Sequence, residues 1–115
     1  MNRNFGKGEK TMADTLGILV NTDKHLDYVI NLTLAAHKKE KDVRIFFTGK
    51  GVLLTLKPDF KKLVGKAKLA VCDVSFRSHG LHGREDEVPG VGFKDFATQA
   101  KNAEMVAEMD RYVVF

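Results

Sequence analysis

Five short apolar runs of strand length, separated by segments of helical or turn character, constrain this 115-residue chain more than any other feature. They are Thr15-Leu-Gly-Ile-Leu-Val20, Asp42-Val-Arg-Ile-Phe-Phe47, Leu69-Ala-Val71, Val91-Gly-Phe-Lys-Asp95 and Arg111-Tyr-Val-Val-Phe115. Runs that are apolar on successive residues suit strands buried on both faces. Strands that alternate with helices call for a mostly parallel sheet, right-handed crossovers and helices on both faces. The expectation is an α/β single-domain three-layer sandwich with a mostly parallel five-stranded sheet, spanning residues 13–115. Neither an internal repeat nor a low-complexity segment interrupts it.

The connecting segments carry their own signals. Asn21-Thr-Asp23 offers capping residues for a helix over Lys24 to Lys41, where Leu26, Val29, Ile30, Thr33 and His37 form one stripe at helical spacing. Tyr28, Leu32 and Ala35 form part of a second stripe, which predicts packing on two sides, against the sheet and against a neighbouring helix or another subunit. Val52-Leu-Leu-Thr-Leu56 lies between a glycine turn and Pro58, and reads either as a short core helix turn or as a buried subunit contact. Pro58 and Asp59 suit a first helical turn, and Phe60, Leu63, Val64 and Ala67 follow at helical spacing with Gly65 to end it. His82 to Gly90 is polar and rich in turn residues, hence a loop. Ala97 to Met109 predicts a last helix, with Ala97, Ala100, Ala103 and Ala107 as a small-residue side for close packing.

The one cysteine, Cys72, stands where the third apolar run ends. A short helix is expected after it, with Asp73 or Ser75 as N-cap and Gly80 as terminator. Chemistry in open α/β sheets gathers beyond the carboxyl ends of strands, and unpaired N–H groups at a helix start favour a thiolate. Arg77 and His79 are placed to favour it further. Free cysteine also fills space as a small buried hydrophobe, so position alone leaves both roles open.

Composition sets the surroundings. A single cysteine admits no disulfide within the chain and fits a reducing compartment, and no apolar run is long enough to span a membrane, so the expected setting is cytoplasmic. Of the net charge of +4, Met1 to Met12 supplies +2 through Arg3, Lys7, Lys10 and Glu9. Residues 1–12 lack the apolar core of a secretory signal and read as a flexible N-terminal arm or a remnant of expression. The remaining lysines lie among acids near helix ends rather than on one face with aromatics, so no nucleic-acid partner is expected.

Other chemistries fit less well. Cys72, His79 and His82 invite a zinc reading, but a structural site wants four ligands and a catalytic one three plus water, and with no second Cys pair and no HExxH helix no metal is expected. Thr48-Gly-Lys-Gly51 lacks the span and the Lys-Ser/Thr end of a P-loop. Asn21-Thr-Asp-Lys24 lacks the glycine and hydroxyl density of a flavin phosphate cradle, and no cofactor is expected. Cys72 to Ser78 has the Cys-x4-Arg-Ser length of rhodanese-type thiol loops without their glycine, and Leu69 stands where peroxiredoxins carry threonine.

Taken in order, Leu16 to Val20, Ile45-Phe-Phe47 with Gly51-Val52, Leu69-Ala-Val-Cys72 with Gly80 eight residues on, and Arg111 to Phe115 resemble the DsrE/DsrF-like sulfur-relay family, which includes the TusD-type subunits. The resemblance covers about 100 of the 115 residues. It implies a DsrE/flavodoxin-like sheet, assembly into homotrimers or hexamers, and a cysteine at position 72 that accepts sulfur as a persulfide and relays it to a partner thiol. Donor and acceptor would be proteins or a low-molecular-weight persulfide. In that role Cys72 is nucleophile and carrier, N–H groups near Val74 and Ser75 stabilise anionic sulfur, and Arg77 or His79 lowers the thiol pKa or guides an anionic donor. The alternative is a non-catalytic small-ligand-binding or assembly subunit of the same fold, with Cys72 buried and inert.

Overall fold

In the computed structural model, which describes residues 14–115, four of the five runs, with Phe96–Ala97 in place of the run at 91–95, form one five-stranded, all-parallel sheet in the order β4-β3-β2-β1-β5. The strands are β1 (Thr15–Val20), β2 (Asp42–Phe47), β3 (Lys68–Cys72), β4 (Phe96–Ala97) and β5 (Arg111–Val114). The expected arm, residues 1–12, lies outside the described residues. Successive crossovers step from β1 to β4 in one direction, and the last connection returns across the whole sheet to place β5 beside β1.

Two unequal cores follow from this path. On one face Ile18, Val20, Ile45, Phe47 and Val71 meet helix α1 (Leu26–Lys38), two 3-10 helices (Gly49–Leu56 and Pro58–Leu63) and helix α2 (Asp73–Ser78). On the other, Phe46, Ala70 and Cys72 meet Met105 of helix α3 (Gln99–Glu108) and Met109, its C-cap. The result is a three-layer α/β sandwich. Phe60 packs on Phe47 with ring centroids 5.2 Å apart, and Phe76 on Phe96 at 5.1 Å. Each fully buried phenylalanine contributes about 1.5–3 kcal/mol by leaving water.

Several elements differ from their sequence expectation. Helix α1 begins at Leu26 behind His25, without a side-chain cap bond, so Asn21 to Asp23 does not cap it. Its sheet-facing stripe is Leu26, Val29, Ile30, Thr33 and Ala36, while Tyr28 and Ala35 face outward. Val52, Leu54 and Thr55 are buried in the chain's own core, which uses the apolar run internally. The Pro58 segment is a 3-10 helix that stops at Leu63, leaving Val64 40% exposed. Residues 91–95 do not form a strand: Asp95 turns back to accept the Gly92 N–H at 2.9 Å, Phe93 is exposed, and pairing begins only at Phe96. The alanines at 100, 103 and 107 face solvent. Met105 and Met109 take the inward side, because a methyl group is too short to fill the roughly 10 Å between packed layers.

Candidate functional site: a thiol among four hydrogen-bond donors

Cys72 ends β3 and is itself the N-cap of α2, in place of Asp73 or Ser75. Gly80 closes α2 as expected: with φ +82° it lets the Gly80 and Leu81 N–H groups return to the Arg77 and Phe76 carbonyls. Parallel register assembles what surrounds the sulfur. Phe47 pairs with Val71, which sets Thr48 beside Cys72; Cys72 pairs with Ala97, which brings Gln99 over it two residues later.

The donors are arranged in two relays. Gly49, held at φ +53° after β2, donates its N–H to Ser75 Oγ at 2.9 Å. Gln99 Nε2 donates to Thr48 Oγ1 at 2.9 Å and lies 3.7 Å from Cys72 Sγ. Each hydroxyl already accepts an N–H, so each has its own proton to give, either across the 3.3 Å Thr48–Ser75 contact or to the sulfur. Burial pushes the Cys72 thiol up. Hydrogen bonds from the Ser75 hydroxyl, the Ser75 backbone N–H, the Thr48 hydroxyl and the Gln99 amide outweigh it and hold the thiol below its ordinary value.

The sequence-derived residues fall into two groups. Cys72 and Ser75 are together at the site. Val74, Arg77 and His79 are not among the groups acting on the sulfur. Val74 is 63% exposed on α2. Arg77 is drawn to Asp73 one helical turn back, at 2.9 Å. His79 Nδ1 sits 2.9 Å from the Ser75 carbonyl oxygen, at the other end of the short helix. His82 faces Glu85 at 3.4 Å rather than the thiol, and among the described residues no group of three or more His, Cys, Asp or Glu is placed to hold a metal. Thr48 and Gln99 are the residues that sequence reading missed. Their signal is positional: each is a polar residue within two positions of a strand's carboxyl end, as Cys72 is.

The residue Cys72 is only 3% exposed. Gln99 and Thr48 bond over it from α3 and β2, and the sulfur packs with Phe46, Ala70 and Met105. The arrangement therefore favours the thiolate while limiting approach to it. Among the described residues no helix is long and apolar enough to cross a membrane. Compared with known proteins, the chain matches no family model, no curated protein and no solved structure.

Proposed function

We propose that this chain is a sulfur carrier of the persulfide-relay kind, with Cys72 as the residue that is loaded and unloaded. The observation that carries the reading is the convergence of the Ser75, Thr48 and Gln99 donors on one thiol at the carboxyl end of β3. A thiol used only as core filler needs no such donors, whereas a nucleophile gains from every one. In the loading step the Cys72 thiolate attacks the outer sulfur of R–S–SH. The Cys72 S–S bond forms, the donor S–S bond breaks, its electron pair leaves on R–S⁻, and the proton stays on the transferred sulfur. In unloading, an acceptor thiolate attacks that outer sulfur and Cys72 leaves as thiolate, which the same donors stabilise. No oxidant or reductant is consumed.

The sequence resemblance adds assembly into a homotrimer or hexamer, which light-scattering mass in solution tests. A working free thiol also implies a reducing setting such as the cytoplasm, with donor and acceptor thiols as partners.

One observation favours a second reading. At 3% exposure Cys72 suits a structural thiol in an assembly or ligand-binding subunit. Intact mass of the native protein after exposure to polysulfide, with Cys72→Ser beside it, separates the two. A reducible gain of whole sulfur atoms, absent from the variant, is the result expected of a carrier. If the thiol takes up sulfur only after unfolding, it is core and sulfur relay is excluded.

A further inference from the structure

A single helix cannot cover a five-stranded sheet. Helix α3 is the one α-helix on its face among the described residues, and it packs against β1 and β2. The amino-terminal half of β3 is left open on that side, beneath a loop, and a cavity of about 560 Å³ occupies the gap. That is within the ordinary range for small-molecule sites, roughly 300–1,000 Å³.

Its lining is amphoteric. Arg44 and Lys68 are direct register partners there, and Lys94 and Lys101 add two more cations. Arg44 spends its terminal nitrogens on Glu108 at 3.2 Å and Asp42 at 3.3 Å, while its Nε is buried without a partner among the described residues. Lys101 is 3.8 Å from Glu104. Lys68 and Lys94 have no ion-pair partner among the described residues, and Asp95 takes only a backbone N–H, from Gly92. Unspent ammonium groups thus share with unspent carboxylate capacity a cleft that Ala70 also lines.

The cleft is also in line with the thiol. Lys68, Ala70 and Cys72 alternate along β3 and so share one sheet face, about 13 Å from end to end at about 3.3 Å per residue. Met105 lines the cleft and packs in the cluster that holds Cys72, and its unbranched thioether is the most easily rearranged kind of partition.

Building on the carrier reading, we propose that this cleft seats the non-reacting body of the sulfur donor, a small zwitterionic amino-acid or short-peptide persulfide. Its carboxylates rest on Lys68 and Lys94, its ammonium group faces Asp95 or Glu104, and its outer sulfur is directed past Ala70 and Met105 to Cys72 Sγ. The reaction is the exchange already given: the donor leaves as its thiolate, and Cys72 keeps the sulfur with its proton. Inorganic polysulfide, though anionic, has no such body to be held in the cleft.

The experiment uses S-methylglutathione as an unreactive probe, followed by methyl resonances of Met105, and then compares loading of Cys72 by glutathione persulfide and by inorganic polysulfide. Lys68→Gln with Lys94→Gln is the test variant, assayed at about 0.15 M ionic strength, where charges beyond a Debye length of roughly 8 Å are largely screened from the thiol; both are surface changes whose folding is checked by circular dichroism. Expected are saturable Met105 shifts, weakened about tenfold or more in the variant, with glutathione persulfide loading slowed similarly and polysulfide loading unchanged. Loading from either donor without Met105 shifts, or a variant loaded by both donors at the original rates, overturns the proposal and leaves the carrier reading standing. Met105 shifts without loading from any donor overturn the carrier reading and the donor assignment together.

Discussion

At the scale of single residues, the thiol's acidity is set by hydroxyls that are themselves oriented by N–H donors. Ser75→Ala removes the strongest of the lowering hydrogen bonds and leaves burial, which acts the other way. The pH midpoint of Cys72 alkylation is therefore expected to rise in this variant, and pH-dependent iodoacetamide rates measure it; an unmoved midpoint would show that the hydroxyl does not serve the sulfur. The same shift has a stability consequence of fixed sign. Because the native thiol lies below its ordinary value, ionised Cys72 contributes stability that is fully present above the unfolded thiol's pKa and is lost as pH falls through the native one. Cys72→Ser should erode that alkaline advantage in urea melts. Gln99→Ala separates acidity from access: losing the amide raises the midpoint, while removing the cover raises the alkylation rate reached at alkaline pH. Legibility at this scale was partial. Cys72 and Ser75 are neighbours in sequence and could be paired on local grounds. Thr48 and Gln99 arrive through parallel register from 24 and 27 residues away, and one sequence contains no record of register.

Elements were legible where one physical signal dominated. The four longer strands are apolar runs bounded by turn residues, and they formed where the pattern placed them. The 3-10 helices were not legible as such, since Val52 to Leu56 and Phe60 to Leu63 bury the same residues whether the chain winds at three or 3.6 residues per turn. Helix α3 was assigned the wrong inward side because small residues suggested close approach, whereas the space to be filled asks for methionine. Fine packing sets the element-scale predictions. A Cβ on Gly51 would lie 2.1 Å from the Val20 carbonyl oxygen, a contact that requires backbone to move. Gly51→Ala is expected to cost about 3 kcal/mol. Phe60→Ala, at a fully buried position, should cost about 3–5 kcal/mol, and Val106→Ala, 55% exposed on α3, within about 0.5 kcal/mol of nothing. Urea midpoints at unchanged slope measure all three, and a Val106 loss as large as that at Phe60 would mean that the outer side of α3 is covered.

For the whole molecule, the unequal division of the core bears on how a buried thiol can work at all. One face of the sheet carries α1, both longer 3-10 helices and α2 over most of the buried side chains; the other carries α3 over Phe46, Ala70 and Cys72. Beyond Met105 and its C-cap Met109, α3 is held by the Gln99–Thr48, Arg44–Glu108 and Tyr112–Asn102 side-chain contacts, each at least partly open to solvent. Little apolar area therefore opposes lifting α3, and stability within a fold follows such differences. The expected result is that α3 amides exchange with deuterium well before those of α1, and that Cys72 alkylation on the native protein proceeds at the α3 opening equilibrium, since Gln99 and Met105 leave the sulfur together with the helix. Met105→Ala should then speed exchange in α3 and alkylation of Cys72 by the same factor while leaving α1 exchange nearly unchanged. Hydrogen exchange by mass spectrometry, run beside alkylation on one sample, makes the comparison. If α1 and α3 exchange as one unit, α3 does not lift by itself, and native-state loading of Cys72 is left to movement of Met105 at the end of the cleft.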